Sequence, residues 1–238
     1  MAVYPLRYCQ SGQIFLDPDD NCDHVVDAIL ESEYNEEFCV ATSFDIGFIC
    51  RLMQAGFLVM SMRIATEESE CESPVILLPK YHLVRSVLFF PDLHIRQNIR
   101  RLLSHYELRV NSDFDTIMDK CVTIHGDDWL TTPLIKVIKT MHQMNQHSQA
   151  TPVSFGLYRE GQLKAGEIGI VAGRVYTSYT GFYEENNAGT IQMIQMAQWL
   201  SESDFGFIDF GMPLDYKTAL GAHSIPIRRF VDIFRAMR

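Results

Sequence analysis

Three consecutive segments with strand character, joined by very short turns, set the strongest limit on how this chain of 238 residues can fold. The segments are VSFGLY (153–158), QLKAGEIGIVA (162–172) and RVYTSYTGFY (174–183), and all are rich in β-branched and aromatic residues. The turns REGQ (159–162) and AGR (172–174) each contain a glycine, which is typical of tight hairpins. The sequence therefore predicts a three-stranded antiparallel meander.

Helical patterns surround the meander and suggest the class of fold. Helices are predicted over 114–122, 134–144 and 188–203, followed by a strand at 205–210, a short helix at 216–222 that Gly221 ends, and a closing segment at 227–237. This order predicts an α+β layer architecture with an acetyltransferase-like (GNAT-type) C-terminal fold. We divide the chain into a smaller N-terminal α+β domain at 1–110 and a transferase domain at 111–238.

The N-terminal part shows weaker patterns. Its first 35 residues are acidic and rich in turn-forming residues. Asp45 is placed to cap a helix over 46–55, and Gly56 is placed to end it. Three further elements are predicted here: a buried strand at 86–90, an amphipathic helix at 94–105 and a strand at 106–110.

Composition narrows the classes of function. The formal net charge is −10, so any contact with nucleic acid has to come from a local basic patch. No apolar run approaches the roughly 18 residues that span a bilayer, and no secretory signal is visible at the N-terminus. The six cysteines include no CxxC pair and the eight histidines no HxxxH or HExxH pattern. We therefore expect a cytoplasmic protein with reduced thiols, no metal and no membrane partner.

The densest positive charge lies between residues 94 and 109. It consists of His94, Arg96, Arg100, Arg101 and Arg109. Arg96 and Arg100 are four residues apart, so one face of the predicted helix would present both. Guanidinium groups bind phosphate oxygens well, which makes this segment a candidate contact for an RNA backbone. A solvated helix face with local ion pairs is the other interpretation.

Hydroxyl groups are frequent in the third strand of the meander. Strand alternation divides its residues between two faces, with Thr177, Tyr179 and Gly181 on one and Ser178, Thr180 and Phe182 on the other. A polar face in a central strand indicates a polar pocket, and a plain solvent face is the alternative.

Two single residues also stand out. Asp209 lies between Ile208 and Phe210 in an apolar strand, so its carboxylate has to be exposed, paired or functional. Trp129 precedes a predicted helix and is either a core residue or the wall of a ligand pocket. The sequence alone leaves both pairs of alternatives open.

The loop after the third strand argues against coenzyme A. In acetyltransferases that use acyl-CoA, a glycine-rich basic loop at this point binds the pyrophosphate with its backbone N–H groups. The corresponding loop here, YEENNAGT (183–190), holds two glutamates, one glycine and no lysine or arginine. A pyrophosphate would meet like charge, so no cofactor of this kind is expected.

Five segments carry a resemblance to the leucyl/phenylalanyl-tRNA–protein transferase family, over roughly residues 40–235. They are PDLHIRQNIRR, DWLT, GQLKAGEIGIVAGRVY, FIDFG and LGAHSIPIRRF. The most specific feature is the LGA–IP ending with Asp209 twelve residues before Gly221. The resemblance implies an enzyme that moves an amino acid from aminoacyl-tRNA to the N-terminus of a protein.

The resemblance also implies roles for individual residues. Asp209 and Tyr179 would be catalytic, with Tyr179 at the position of a glutamate in the family. Substrate-binding residues would be Met60, Trp129, Ser178, Thr180, Asn187 and Gly211, and tRNA-binding residues would be Arg85, His94, Arg96, Arg100 and Arg101. Gly211 replaces a glutamine of the family. Because a phenol is a poor base near neutral pH, these departures predict weakened catalysis or different substrates.

The resemblance thus implies an aminoacyltransferase of the leucyl/phenylalanyl or arginyl type, which modifies protein N-termini as degradation signals (N-degrons). Its partners would be an aminoacyl-tRNA and an acceptor N-terminus, and it would act as a cytoplasmic monomer without a cofactor. The alternative is a non-catalytic homologue that binds tRNA 3′ ends, protein N-termini or a partner protein. A coenzyme A-dependent acyltransferase is a third interpretation, which the acidic loop disfavours.

Overall fold

The computed structural model of the protein describes residues 4–64, 73–144 and 149–238. The chain divides into two compact units. The first unit comprises Met1–Leu83 and Gly126–Ala150, and the second comprises Val84–His125 and Thr151–Arg238. These units are discontinuous in sequence and do not follow a single division at residue 110. Independent folding of 1–110 and 111–238 stays a prediction.

Helices and a two-stranded hairpin make up the described part of the first unit. In chain order its elements are α1 (Cys22–Glu31), α2 (Ile46–Gln54), β1 (Leu58–Arg63), β2 (Val75–Lys80) and α5 (Thr132–Met144). The predicted start and end of α2 are confirmed. The amide of Phe48 donates to the Asp45 carboxylate at 2.7 Å, and Gly56 follows the helix with a φ of +93°.

A seven-stranded mixed sheet organises the second unit. Its strands are β3 (Val84–Phe89), β4 (Glu107–Val110), β5 (Thr151–Arg159), β6 (Gln162–Ala172), β7 (Val175–Tyr183), β8 (Phe207–Asp209) and β9 (His223–Pro226). Their order across the sheet is β4-β5-β6-β7-β8-β3-β9. Neighbouring strands are antiparallel apart from β7 and β8, which are parallel. The predicted meander, formed by β5, β6 and β7, is confirmed.

The helices of the second unit lie between these strands in sequence. They are α3 (Gln97–Arg100), α4 (Phe114–His125), α6 (Ala188–Glu202), α7 (Asp215–Ala219) and α8 (Ile227–Met237). Because parallel neighbours need a crossover, α6 connects β7 to β8. Met196 and Leu200 of α6 are buried in one cluster with Phe155 of the sheet. The mixed sheet and its helices confirm the predicted α+β class.

The basic segment at 94–105 is less helical than its pattern predicts. Only Gln97–Arg100 forms an α-helix, and Leu103–His105 forms a 3₁₀ turn. The Leu102 amide bonds to the Ile99 carbonyl only three residues back, which tightens the backbone at this point. Ile99 packs in a buried cluster with Leu220. The apolar spacing thus reflects packing within the unit, and the prediction of one long helix is wrong.

Gly221 joins two segments that are far apart in sequence. It follows α7 with a φ of +100°, a left-handed conformation that suits glycine. A Cβ atom at this position would overlap the carbonyl oxygen of Asp92. Beside this contact, the His94 amide donates to the Leu220 carbonyl at 2.9 Å. The LGA motif therefore supports the segment that leads into α3.

We expect Gly221→Ala to lower the free energy of unfolding by about 3 kcal/mol. The left-handed conformation costs a non-glycine residue about 1–2 kcal/mol, and the overlap with Asp92 adds about 1–3 kcal/mol. Urea denaturation followed by tryptophan fluorescence measures the loss. Gly161→Ala is the matched control, because Gly161 has a φ of +75° and no described atom within 4 Å of the added Cβ. Equal losses in the two variants would contradict the role given to the close approach.

Candidate functional site

A cavity of about 550 Å³ opens in the second unit where β6 and β7 meet the start of α6. The two strands contribute Gly166, Glu167, Ser178, Gly181, Phe182 and Tyr183 to its wall. The loop before α6 and the first turns of α6 contribute Asn186, Asn187, Gly189, Thr190, Gln192 and Met193. His125, Phe210 and Tyr216 also line it. The volume falls within the range of small-ligand pockets, about 300–1,000 Å³.

Two residues predicted to bind substrate, Ser178 and Asn187, lie on the cavity wall. Asn187 immediately precedes α6 in a left-handed conformation with a φ of +68°. Gly211 follows the lining residue Phe210, whereas Thr180 is buried and does not belong to the described lining. The binding roles of these four residues stay predictions.

A β-bulge between β6 and β7 changes the faces that simple alternation predicts. Ile168 pairs with Thr180 and Gly169 pairs with Ser178, so the register shifts at Tyr179, the extra residue of β7. Gly181 consequently lines the cavity together with Ser178, although strict alternation places the two on opposite faces. The predicted alternation is therefore wrong beyond Ser178.

Tyr179 lies in the interior with an exposed fraction of 9%. It is not among the described residues that line the cavity. Burial raises the pKa of its phenol well above the ordinary value, so the hydroxyl stays protonated at neutral pH. The catalytic role expected for Tyr179, as a replacement for the family's glutamate, stays a prediction.

Glu167 is a candidate residue that the sequence did not single out. It lies on β6, is 5% exposed and lines the cavity. Its register partner on β7 is Gly181, which has no side chain to cover the carboxylate. The Tyr176 hydroxyl donates to Glu167 Oε1 at 3.1 Å, and Ser178 and Gln192 also hydrogen-bond to this carboxylate. The only signal in the sequence was an acidic residue inside an apolar strand, the same signal that drew attention to Asp209.

Burial, hydrogen bonds and the charge of Lys217 together determine the electrostatic surroundings of Glu167. Burial raises the pKa of its carboxyl, and hydrogen bonds from Ser178 and Tyr176 offset part of this rise. The nearby ammonium of Lys217 also favours the charged form, but it donates to the carbonyl oxygens of Phe210 at 2.6 Å and Met212 at 2.9 Å. Lys217 also acts on Asp209, so Glu167, Lys217, Asp209 and Arg85 belong to one buried group of charges.

Asp209 lies in a different environment, at the centre of the sheet. Its side chain is 1% exposed, and its Oδ2 atom lies 3.1 Å from Arg85 Nη1. The same oxygen accepts a hydrogen bond from the Thr177 hydroxyl at 3.2 Å, and Oδ1 accepts one from the Gly211 amide at 2.9 Å. Asp209 does not belong to the described lining of the cavity, and its catalytic role stays a prediction.

The expectation that Arg85 contacts tRNA is contradicted by its burial. Its side chain is only 1% exposed, as is that of its partner Asp209. The guanidinium carbon lies 4.4 Å from the centroid of the Phe230 ring, within the range of a cation–π contact. A phosphate in solution cannot reach a guanidinium enclosed in this way. Arg85 instead neutralises Asp209.

The other residues predicted to bind tRNA are exposed. They are His94, Arg96, Arg100 and Arg101. Counting only described residues, none of these four side chains forms an ion pair, whereas Arg109 binds Glu107 with 2.8 Å between Nη2 and Oε2. The four side chains can therefore meet an external anion without first breaking such a contact.

Met60 and Trp129 belong to the first unit, unlike the other predicted site residues. Their backbones are close, since the amide of Ser61, which follows Met60, donates to the Trp129 carbonyl at 2.9 Å. The indole of Trp129 is half-buried. The substrate-binding roles of Met60 and Trp129 stay predictions.

The described cysteines and metal-binding side chains offer few candidates for a reactive thiol or a metal site. Cys9, Cys22, Cys39, Cys50 and Cys121 are reduced thiols. Burial raises the pKa of both Cys39 and Cys121 to about 12, which makes them weak nucleophiles. The described residues hold no group of three or more His, Cys, Asp or Glu side chains able to bind a metal ion. Over the same ranges, no helix has the length and apolarity to cross a bilayer.

Residues 87–235 match the family described as leucyl/phenylalanyl-tRNA protein transferase. Curated relatives with this description occur in Stutzerimonas stutzeri (strain A1501), at 27% identity over 153 residues, and in Pseudomonas entomophila (strain L48), at 26% over 153 residues. Each of these matches covers 62% of this chain and 66% of the relative. The chain thus spans just under two thirds of the length of these relatives.

Solved structures with a similar outline have low sequence identity to the chain. FemX is 10% identical with a TM-score of 0.48, and the match covers 90% of this chain and 79% of FemX. A GCN5-related N-acetyltransferase from Anabaena variabilis is 10% identical with a TM-score of 0.42, over 85% of this chain and 46% of that protein. Likeness at these scores establishes nothing about activity.

We expect Asp209→Asn to lower the free energy of unfolding by about 3–5 kcal/mol, because it leaves the charge of Arg85 buried and unpaired. Thermal and urea denaturation measure the loss, and the double variant Arg85→Met/Asp209→Asn should recover part of it. Asp204→Asn is the control, since it breaks an exposed pair with Arg174 and should change stability by at most about 1 kcal/mol. Similar losses for Asp204→Asn and Asp209→Asn would show that the buried pair does not hold the sheet together.

Proposed function

Since the chain belongs to the leucyl/phenylalanyl-tRNA protein transferase family, we propose that it transfers an amino acid from a charged tRNA to the N-terminal amine of a protein. The observation that carries this proposal is the match over residues 87–235, a span that includes all residues of the cavity and the exposed arginines around α3. The donor would be of the leucyl/phenylalanyl or arginyl type.

The chemistry of this reaction depends on positioning more than on strong acid–base catalysis. The aminoacyl ester is already activated, and an α-amine, with a pKa of about 8, is a competent nucleophile once neutral. The amine nitrogen forms a bond to the ester carbonyl carbon, the bond from that carbon to the ribose oxygen breaks, and the ribose hydroxyl leaves. A cavity that holds the two reacting ends together can supply much of the rate enhancement.

The exposed basic segment supports binding of tRNA by a protein whose net charge is −10. His94, Arg96, Arg100 and Arg101 are at the surface and form no ion pair with other described residues. Guanidinium groups bind phosphate oxygens in a two-pronged geometry, which suits an RNA backbone. The segment is also held in place by the contact between Gly221 and Asp92.

Two positions, 179 and 211, support the proposal that the catalytic site differs from that of the family. Position 179 holds a buried phenol, and position 211 offers only backbone, whose amide already binds Asp209. Asp209 itself is enclosed with Arg85. Within the proposed function, Asp209 would position the turn that carries Phe210 into the cavity, and Tyr179 would support the bulge that turns Ser178 towards it.

The proposed setting is the cytoplasm, where charged tRNA is available. The transferred residue would serve as an N-degron that directs the acceptor protein to degradation. The protein would act as a monomer without a cofactor.

A non-catalytic homologue is the second candidate, and one observation favours it. The described cavity lining contains neither Tyr179 nor Asp209, the two residues predicted to be catalytic. Such a homologue would bind tRNA 3′ ends, protein N-termini or a partner protein without turnover.

We expect labelled product for at least one pair when the protein is incubated with charged tRNA and a peptide. The donors are tRNAs that carry labelled Leu, Phe, Met or Arg, and the acceptors are peptides with basic or acidic N-termini. The same peptides with acetylated N-termini are the control, because they lack the nucleophile and should give no product. Absence of transfer for every pair, with tRNA still bound, would exclude the enzymatic proposal in favour of the non-catalytic one.

The triple variant Arg96→Gln/Arg100→Gln/Arg101→Gln should bind tRNA more weakly, and its affinity for tRNA should depend less on salt concentration. Each lost phosphate contact should reduce the slope of log K against log salt by roughly 0.7–0.9, so the triple variant should lose about 2–3 in slope. Fluorescence anisotropy over a salt series measures it. Arg174→Gln is the matched control, because Arg174 is exposed but already paired with Asp204. An unchanged slope in the triple variant would place the tRNA-binding surface elsewhere.

A further inference from the structure

We propose that Glu167 forms a binding site for a primary ammonium group inside the cavity, and that this group is the N-terminal amine that accepts the amino acid. The inference rests on the proposed function and deepens it. It names the substrate group that the cavity receives and the residue that takes its proton.

The first reason is the charge balance around Glu167. A buried carboxylate is costly unless it is paired or hydrogen-bonded. Its hydrogen-bonding partners Tyr176, Ser178 and Gln192 are all uncharged. The ammonium of Lys217 favours the charged form of Glu167 from nearby, while it donates to the carbonyl oxygens of Phe210 and Met212. Lys217 does not belong to the described lining of the cavity, so a cation that enters there meets the carboxylate of Glu167.

The second reason is access. Glu167 is one of the residues that line the cavity, and its neighbour across the β6–β7 pair is Gly181. A Cβ atom at position 181 would lie 3.4 Å from the Cβ of Glu167, so a larger side chain there would crowd the carboxylate. Glycine at this register position keeps the carboxylate open to a ligand.

The third reason is the chemistry of the remaining wall. Glu167 is the only acidic side chain in the described lining, and a lone carboxylate is a poor site for Ca²⁺ or Mg²⁺, which need several oxygen ligands. An ammonium group needs fewer strong ligands, and the hydroxyl of Ser178 and the amide of Asn187 lie in the same cavity.

The proposed step balances its protons. The ammonium group transfers one proton to the Glu167 carboxylate, and the neutral amine attacks the ester carbonyl carbon. The C–N bond forms, the C–O bond to the ribose breaks, and a second proton from the nitrogen ends on the ribose oxygen. Glu167 then releases its proton to water. Burial raises the pKa of Glu167, which makes the first proton transfer less unfavourable.

The binding test uses three peptide probes without tRNA, each titrated into the protein and followed by calorimetry. The first has a free N-terminus, the second is N-acetylated, and the third is N-acetylated but contains a lysine. We expect the free peptide to bind at least about ten times more tightly than the acetylated one, and Glu167→Gln to abolish this difference. Glu202→Gln, an exposed glutamate on α6, is the matched control and should preserve it.

Two binding outcomes would overturn the inference. Equal affinity of the free and acetylated peptides for the unaltered protein would show that no ammonium is bound. If the lysine-containing peptide binds as tightly as the free peptide and depends on Glu167, a side-chain amine occupies the site and the assignment to the N-terminus is wrong. Glu167→Asp keeps the charge and should retain part of the preference, which separates loss of the carboxylate from misfolding.

Single-turnover transfer distinguishes this inference from the proposed function. We expect Glu167→Gln to slow transfer by about 100-fold or more while tRNA affinity stays unchanged. If the unaltered protein transfers amino acids and Glu167→Gln does so at the same rate, the inference is overturned and the function stands. If free peptide binds through Glu167 but no charged tRNA reacts, the ammonium site stands and the enzymatic function fails.

Discussion

The buried ion pair between Arg85 and Asp209 fixes the centre of the seven-stranded sheet. Asp209 ends β8, Arg85 lies on β3 at one side of it, and Thr177 lies on β7 at the other side. One carboxylate thus joins three neighbouring strands, including the parallel pair β7 and β8. Its second oxygen holds the Gly211 amide, so the turn that carries Phe210 to the cavity begins from a fixed point. The acidic residue in an apolar strand is explained by this network.

Elements with a strong local pattern could be predicted from the sequence. The meander has short glycine turns, and α2 has a capping carboxylate at one end and a glycine at the other, so neighbouring residues specify both. Strand β9 depends on pairing with β3, which lies more than 130 residues earlier, and local sequence does not report such pairing. The helix expected at 94–105 failed for a related reason, because Ile99 packs against Leu220 rather than along a continuous helix.

The candidate site could be predicted only in part, and the β-bulge explains much of the difference. Ser178 and Asn187 line the cavity, and the substrate-binding roles that the resemblance implies for them stay predictions. One extra residue in β7 changes which side chains face inwards, and no turn residue or glycine in the sequence marks Tyr179 as that residue. Glu167 became visible only once the register placed Gly181 opposite it. Arg85 looked like a surface charge because its partner lies 124 positions later in the chain.

The contact between Gly221 and Asp92 has a consequence for genetic studies of this protein. It supports the backbone that presents His94 and, further along, the exposed arginines, yet the glycine has no side chain with which to touch a ligand. Under the proposed function, a selection scored by tRNA binding would recover substitutions at Gly221 as well as substitutions of the arginines. A map drawn from such data would therefore mark a contact surface larger than the real one. The additional positions would be residues such as Gly221, which support the basic segment without contacting the ligand.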